Sequence, residues 1–249
     1  RAVAAKGIIV RPEEPLAPAA TDARDRLALN PDQRAALDAL TDSLDAFSAT
    51  LLEGVTGSGK TEVYLQLIET VLARGRQVLV LVPEIALTPQ TLERFRRRFG
   101  TAAAMHSGMT DAQRLQTWLG CRAGDVGILI GTRSAVLTPF RQLGLIVVDE
   151  EHDGSFKQQD GLRYSARDVA VKRAQGLGIP LLLGSATPSF ESLVNAWSGR
   201  YRHLELRTRA GGAHLPAFRL LDIRGHTLRD GISDALAAVM RRHLEAEGL

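Results

Sequence analysis

Apolar residues fall along this chain in two alternating patterns: short unbroken runs, and longer stretches where they return every third or fourth position. The runs Leu145-Ile146-Val147-Val148 and Leu181-Leu182-Leu183 fit strands buried on both faces of a parallel sheet. Read this way, strands are predicted over 49–52, 77–82, 102–106, 126–130, 143–148 and 180–183. Helices are predicted over 60–74, 89–99, 111–121, 166–175 and 189–197. Strand–helix alternation of this kind argues an α/β fold with a mostly parallel central sheet flanked by helices. Before it, a helix is expected to open at Asn30, with Pro31 at its first position and Gln33 placed for a capping box. Leu37, Leu40, Leu44 and Phe47 then mark one apolar stripe.

The ends of the chain read differently. Residues 3–10 are apolar and β-branched, and charge and proline dominate from 11 to 18. Residues 1–25 are therefore expected to be the tail of a preceding domain and a linker, and 26–210 a single compact domain. Gly211-Gly212 reads as a break, with a strand over 218–223 and an amphipathic helix over 233–247. Residues 211–249 are expected to open a second domain of a longer protein. The chain starts on Arg1, and another strand is expected after Leu249.

Composition narrows the function classes. No run reaches the roughly 18–20 apolar residues of a membrane span, and there is no leader-like segment. The single Cys121 excludes an internal disulfide and a multi-cysteine zinc site, and reads as a buried structural thiol. A net charge of +3 permits a polyanionic partner without requiring one.

The chemistry concentrates in two places. Gly54-Val55-Thr56-Gly57-Ser58-Gly59-Lys60-Thr61 matches the phosphate-binding loop, expected by chance in about one sequence in a hundred. Its glycines let the backbone wrap phosphates, with N–H groups and a helix N-terminus pointing inward. Lys60 is expected to reach the β- and γ-phosphates and Thr61 to hold magnesium. Asp149-Glu150-Glu151-His152 follows an apolar strand, at the strand end where open α/β sheets bind ligands. Asp149 is expected to take magnesium and Glu150 to orient the attacking water; the plain alternative is a solvated acidic turn. The guanine-reading NKxD and the LSGGQ signature are absent. Arg96-Arg97-Arg98 closes a helix whose stripe is Leu92, Phe95 and Phe99, and reads as a solvated basic face suited to the helix C-terminus.

With DEEH at 149–152 and GSAT at 184–187, the chain resembles the superfamily 2 helicases. More closely, it resembles the replication-restart DNA helicases of the primosome. The resemblance rests on GVTGSGKTEVYL at 54–65, LVPEIALTPQ at 81–90, HSG at 106–108 and GTRSAVLTPF at 131–140. It continues through VVDEEHDGSFKQQDGLRYSARDVAV at 147–171, GSATPS at 184–189 and RAGG at 209–212. It implies a first RecA-like motor domain, ATP and magnesium as cofactors, and 3′ to 5′ unwinding. It also implies single-stranded and forked DNA, primosome proteins and single-strand DNA-binding protein as partners, and a bacterial cytoplasmic setting. The zinc it implies has its ligands outside this chain. The arginine finger is expected from a second RecA-like domain, so the chain alone is expected to bind nucleotide weakly and hydrolyse it poorly.

Residue by residue, the resemblance gives Gln33 to adenine recognition, beside the capping reading. Thr88 stands near single-stranded DNA, beside its reading as a helix cap before Pro89. Thr132 and Arg133 contact the strand backbone. Ser185 and Thr187 couple hydrolysis to domain motion, and His152 links the nucleotide site to the DNA side. Phe156, Lys157, Arg163 and Tyr164 belong to an aromatic-rich loop in which unpaired bases would stack beside cations. Leu162 stands where that loop is expected to carry another aromatic. The other readings kept open are an ATP-switched platform that loads replication proteins without needing to unwind, and another superfamily 2 duplex translocase or RNA helicase.

Overall fold

The computed structural model describes residues 27–100, 102–209, 220, 222–225 and 228–247. Seven strands form the central sheet: β1 (Ala49–Gly54), β2 (Gln77–Leu81), β3 (Ala102–Met105), β4 (Ile128–Gly131), β5 (Leu143–Asp149), β6 (Leu181–Ser185) and β7 (Arg202–Leu206). Their order is β3-β4-β2-β5-β6-β1-β7 and every pairing is parallel. Central strands such as β2 and β6 are buried throughout, which is why they read as unbroken apolar runs.

The helices are α1 (Pro31–Thr41), α2 (Lys60–Ala73), α3 (Pro89–Phe99), α4 (Asp111–Ala123), α5 (Ala166–Leu177) and α6 (Phe190–Trp197). They divide the apolar interior into two clusters, one on each side of the sheet strands. Leu37, Leu40 and Leu44 join Val63, Leu67, Phe95 and Phe99 in one; Phe156, Ala166, Ala170 and Cys121 lie in the other. Phe47 departs from the expected stripe: α1 ends at Thr41, and Phe47 packs against the second cluster.

One side chain ties the sheet at its β7 edge and another holds it from an interior strand. At the β7 edge, His203 Nε2 lies 2.9 Å from Glu53 Oε2 on β1. β7 was not predicted, because Arg202-His203-Leu204-Glu205-Leu206 carries only a partial apolar alternation. At the other side of the sheet, Gln77 on β2 donates to the carbonyls of Cys121 and Val126 and accepts from the N–H groups of Arg141 and Gln142. Cys121 is buried, as expected, and its thiol is pushed up to about 12 by loss of water.

The chain divides into two compact units, Arg1–Ala213 and His214–Leu249. The second contains a two-residue ladder, Leu228–Arg229 with Ile232–Ser233, turned by Asp230 and Gly231, both at positive φ. Helix α7 (Asp234–Glu247) follows, with Ser233 Oγ accepting from the Leu236 N–H. Leu220, Asp222 and Ile223, the described part of the strand predicted over 218–223, are not in a strand. The expected tail and linker over 1–25 and the Gly211-Gly212 break lie outside the described residues. Among the described residues no helix is long and apolar enough to cross a membrane.

Candidate nucleotide site

The phosphate loop, the acidic motif and the GSAT segment sit at the carboxyl ends of β1, β5 and β6. The loop from Gly54 to Lys60 joins β1 to α2, with Gly57 and Gly59 both at φ 81°, a backbone that other residues adopt only at a cost. Gly59 is the N-cap of α2 and supplies no side-chain cap; the Glu62 N–H donates to the Gly59 carbonyl, and those of Lys60 and Thr61, without a partner among the described residues, are left for a ligand. Val55, Thr56 and Gly57 are exposed at the crest, and Thr61 is half-buried behind them. Lys60 Nζ donates to the Gly54 carbonyl at 2.7 Å. Gln33 Nε2 donates to the Ser58 carbonyl, also at 2.7 Å. The same glutamine completes the capping box with Asn30, so capping and contact with the phosphate loop are both realised.

Thr56, Gly57, Ser58, Gly59, Lys60 and Thr61 line a cleft of about 260 Å³ together with Asp149 and Glu150. Ser58 Oγ is buried and has no hydrogen-bond partner among the described residues. An orphaned hydroxyl beside a lysine and free helix N–H groups fits a phosphate oxygen, and the Thr61 hydroxyl with the Asp149 carboxylate is a hard-oxygen set that fits magnesium. Leu27 and Arg94 also line the cleft, and neither was singled out from sequence. Nothing in the local sequence marks Arg94; only the packing of α3 against α2 brings it there.

The basic run at the end of α3 is not one solvated face. Arg98 is 3% exposed; its Nη1 donates to both oxygens of Glu62, at 2.9 Å each, and its Nε donates to Glu69 at 2.6 Å. Arg96 and Arg97 are exposed, as expected. Glu62, one turn into α2, demands the pairing because a buried carboxylate without a partner is costly.

Burial away from water, and next the charge of Glu150, raise the Asp149 carboxyl to about 6; Tyr64, the Glu150 N–H and Lys60 act against this. A carboxyl whose folded pKa lies above its unfolded value binds protons more tightly when folded, so stability falls as pH rises from about 4 to about 6 and stays lower above it. Asp149→Asn is therefore expected to raise the melting temperature of metal-free protein near neutral pH, with a gain in stability of at most ~3 kcal/mol, while removing magnesium-dependent turnover. A melting temperature at or below that of the parent would count against this account of the carboxylate.

The four residues of the acidic motif diverge in role. Glu150 has φ 48°, a left-handed backbone that turns the chain sharply at the end of β5. Its N–H donates to Asp149 Oδ1, and its carboxylate lies at the cleft rim. Glu151 points inward, fully buried, and accepts from the Ser189 N–H, the Ser189 and Ser192 hydroxyls and Arg167. His152 Nδ1 lies 2.7 Å from Ser185 Oγ and Nε2 lies 3.4 Å from Thr187 Oγ1, so one imidazole bridges the acidic motif to the GSAT strand. Sequence reasoning passed over Glu151, the residue most deeply embedded of the four.

The residues assigned to the nucleic-acid side are placed less uniformly. Thr88 caps α3, accepting from the Thr91 N–H. Thr132 is buried, and Arg133 directs its guanidinium to the carbonyls of Ser155 and Lys157. That contact braces the loop over 155–164. Phe156 is 2% exposed in the second apolar cluster, so in this structure its ring anchors the loop and is not presented for stacking, a correction to the role given to it above. The cause is the short helical turn Gly154–Phe156, capped by Asp153, which rolls the ring inward under α5. Tyr164 is half-buried against the same cluster, Lys157 and Arg163 are exposed, and Leu162 is 80% exposed at the tip. Ser185 is buried and Thr187 exposed.

Comparison with known proteins gives the family and the fold. The chain is 50% identical over 225 residues to the replication restart protein PriA of Haemophilus influenzae, covering 90% of this chain and 31% of that protein. It is 44% identical over 222 residues to PriA of Bacillus subtilis, covering 88% and 28%. It thus spans about a third of the length of these curated relatives. In fold it is similar to RecG bound to a three-way DNA junction (TM-score 0.56, 24% identity, 73% of this chain and 24% of that one). It is also similar to the Hef helicase domain of Pyrococcus furiosus (TM-score 0.54, 19% identity, 76% and 40%). These likenesses identify the sheet as RecA-like. Residues 30–196, from the N-cap of α1 through most of α6, match the DEAD/DEAH box helicase family, and the chain belongs to that family.

Proposed function

We propose that this chain is the first RecA-like motor domain of an ATP-dependent DNA helicase acting in replication restart. The observation that carries the motor reading is the convergence of Lys60, Asp149 and Glu150 on one cleft whose rim His152 connects to Ser185 and Thr187. The replication-restart reading is supported by the identity with the PriA proteins over nine-tenths of this chain.

In this reading the phosphate loop and Lys60 bind the β- and γ-phosphates of ATP, and Gln33, tethered to Ser58, faces the adenine. Thr61 and Asp149 hold magnesium, which when bound neutralises the phosphate charge. Glu150 orients a water in line with the bond to the leaving ADP oxygen, and an arginine from a second RecA-like domain completes the charge compensation. His152, Ser185 and Thr187 report the state of the γ-phosphate to the surface that carries Thr88, Thr132, Arg133 and the loop over 155–164. There Lys157, Arg163, Tyr164 and the exposed Leu162 are the groups available to DNA. The partners are single-stranded and forked DNA, the primosome proteins and single-strand DNA-binding protein, in a bacterial cytoplasm. Unwinding runs 3′ to 5′, and the zinc ligands belong to a part of the protein outside this chain.

ATP turnover by the full-length protein tests this, with buffer, single-stranded DNA, forked DNA or RNA added and Lys60→Ala as control. Stimulation by single-stranded or forked DNA that disappears in the control is the expected result. Equal stimulation by RNA would favour a broader superfamily 2 activity, and no stimulation by any nucleic acid would favour an ATP-driven switch.

A further inference from the structure

We propose that Tyr64 is a positioning residue for the magnesium carboxylate Asp149, and that residue 184 is a glycine in order to admit the Tyr64 hydroxyl. The proposal rests on the nucleotide-site reading above and assigns that site a residue it does not otherwise use.

Tyr64 follows Lys60 by four positions on α2, so the two side chains lie on one face of the helix, a turn apart. The helix that offers an ammonium to the phosphates thus carries a phenol one turn deeper. Tyr64 is buried, and its hydroxyl donates to Asp149 Oδ1 at 3.2 Å. The Glu150 N–H donates to the same oxygen at 3.1 Å. Two donors on Oδ1 fix the rotation of the carboxylate and leave Oδ2 as the oxygen without a protein donor among the described residues. A phenol suits this task better than a cation would: it orients the carboxylate without bringing a positive charge that competes with magnesium.

The hydroxyl needs room, and the sheet provides it at one point. Asp149 and Gly184 are direct neighbours across the β5–β6 ladder. A Cβ on residue 184 would overlap Tyr64 Oη and lie 2.6 Å from Cζ. The next residue, Ser185, is the one that His152 contacts. Tyr64 and His152 therefore meet the same strand end at consecutive positions, one packed over Gly184 and one bonded to Ser185.

The test uses full-length protein and two probes. Manganese, a paramagnetic stand-in for magnesium, is titrated with ADP present and read by electron paramagnetic resonance. A fluorescent ADP analogue is titrated separately in EDTA. Tyr64→Phe keeps the ring and removes only the donor; it is expected to raise the manganese dissociation constant roughly 5- to 10-fold, with metal-free ADP affinity within about two-fold of the parent. Gly184→Ala, which keeps the phenol but takes its place, is expected to weaken manganese binding in the same direction. If it fails to fold, Tyr64→Phe still decides. Unchanged manganese affinity in Tyr64→Phe, or an equal loss of ADP affinity in EDTA, overturns the proposal. Failure of the parent protein to bind ADP at all would instead overturn the nucleotide-site reading.

Discussion

Replacing Glu151 with alanine is expected to destabilise the domain by about 3 kcal/mol, the lower end of the cost of breaking a buried ion pair. For a domain of this size that is a fall in melting temperature of roughly 6–12 °C. The carboxylate has no exposed surface and is the common acceptor for Arg167 and for three donors from Ser189 and Ser192. Those donors open α6, so losing the acceptor leaves a buried guanidinium short of a partner and loosens the start of a helix together. Arg167 keeps Asp168 at 3.0 Å, but that carboxylate is 64% exposed and screened by water. Asp168→Ala is accordingly expected to cost under ~1 kcal/mol. Thermal melts of the two variants side by side make the comparison. Similar melting temperatures for both would show that the buried acceptor is not what holds α6 to β5.

Glu150→Gln has the opposite profile. Stability should change little, because the side chain is 39% exposed at the cleft rim and the amide keeps its shape. Turnover should fall roughly 10²- to 10⁴-fold, the usual worth of a positioned general base, with nucleotide affinity retained. The left-handed backbone at this residue is what makes the expectation specific: it turns the N–H toward Asp149 and the carboxylate toward the rim, 3.7 Å from His152 Nδ1. In full-length protein the same variant tests the proposed helicase reading against the proposed loading platform. If loading at forks persists while strand separation is lost, ATP serves chiefly as a switch. If both vanish together, hydrolysis drives both. Retention of parent-like turnover would remove Glu150 from the chemistry.

The sequence made most of the fold legible because the fold is local where it is simplest. Thr88 and Pro89 announce the start of α3, and Gly100 its end, so its bounds match those predicted from sequence. The runs of β5 and β6 are apolar on both faces, short, and rich in β-branched or aliphatic residues, which favours buried strands. β7 was invisible because it becomes a strand only by pairing with β1, a partner some 150 residues away. Lys60, Asp149 and Glu150 stood out because a lysine at fixed spacing from glycines and an acidic pair at a strand end are local patterns, and the structure brings the three to one cleft. Arg94, Arg98 and Glu151 could not. Their roles arise from which helix packs on which, and a charge in a one-dimensional pattern reads as solvated until its neighbour is known. Phe156 shows the converse failure: an aromatic in a basic loop suggests stacking, and a single helical turn buries it instead.

The order of the strands has a consequence for how this architecture can vary. The nucleotide motifs leave β1, β5 and β6, which are contiguous, whereas Thr88 and Thr132 follow β2 and β4, which lie on the far side of β5. Only β5 shares a ladder with both groups, through β2 on one flank and β6 on the other. A shift in β3 or β7 disturbs a single neighbouring strand each. A one-residue slip in β5 would shift both groups of strand ends against each other at once, which makes those seven residues the joint between the two halves of the sheet.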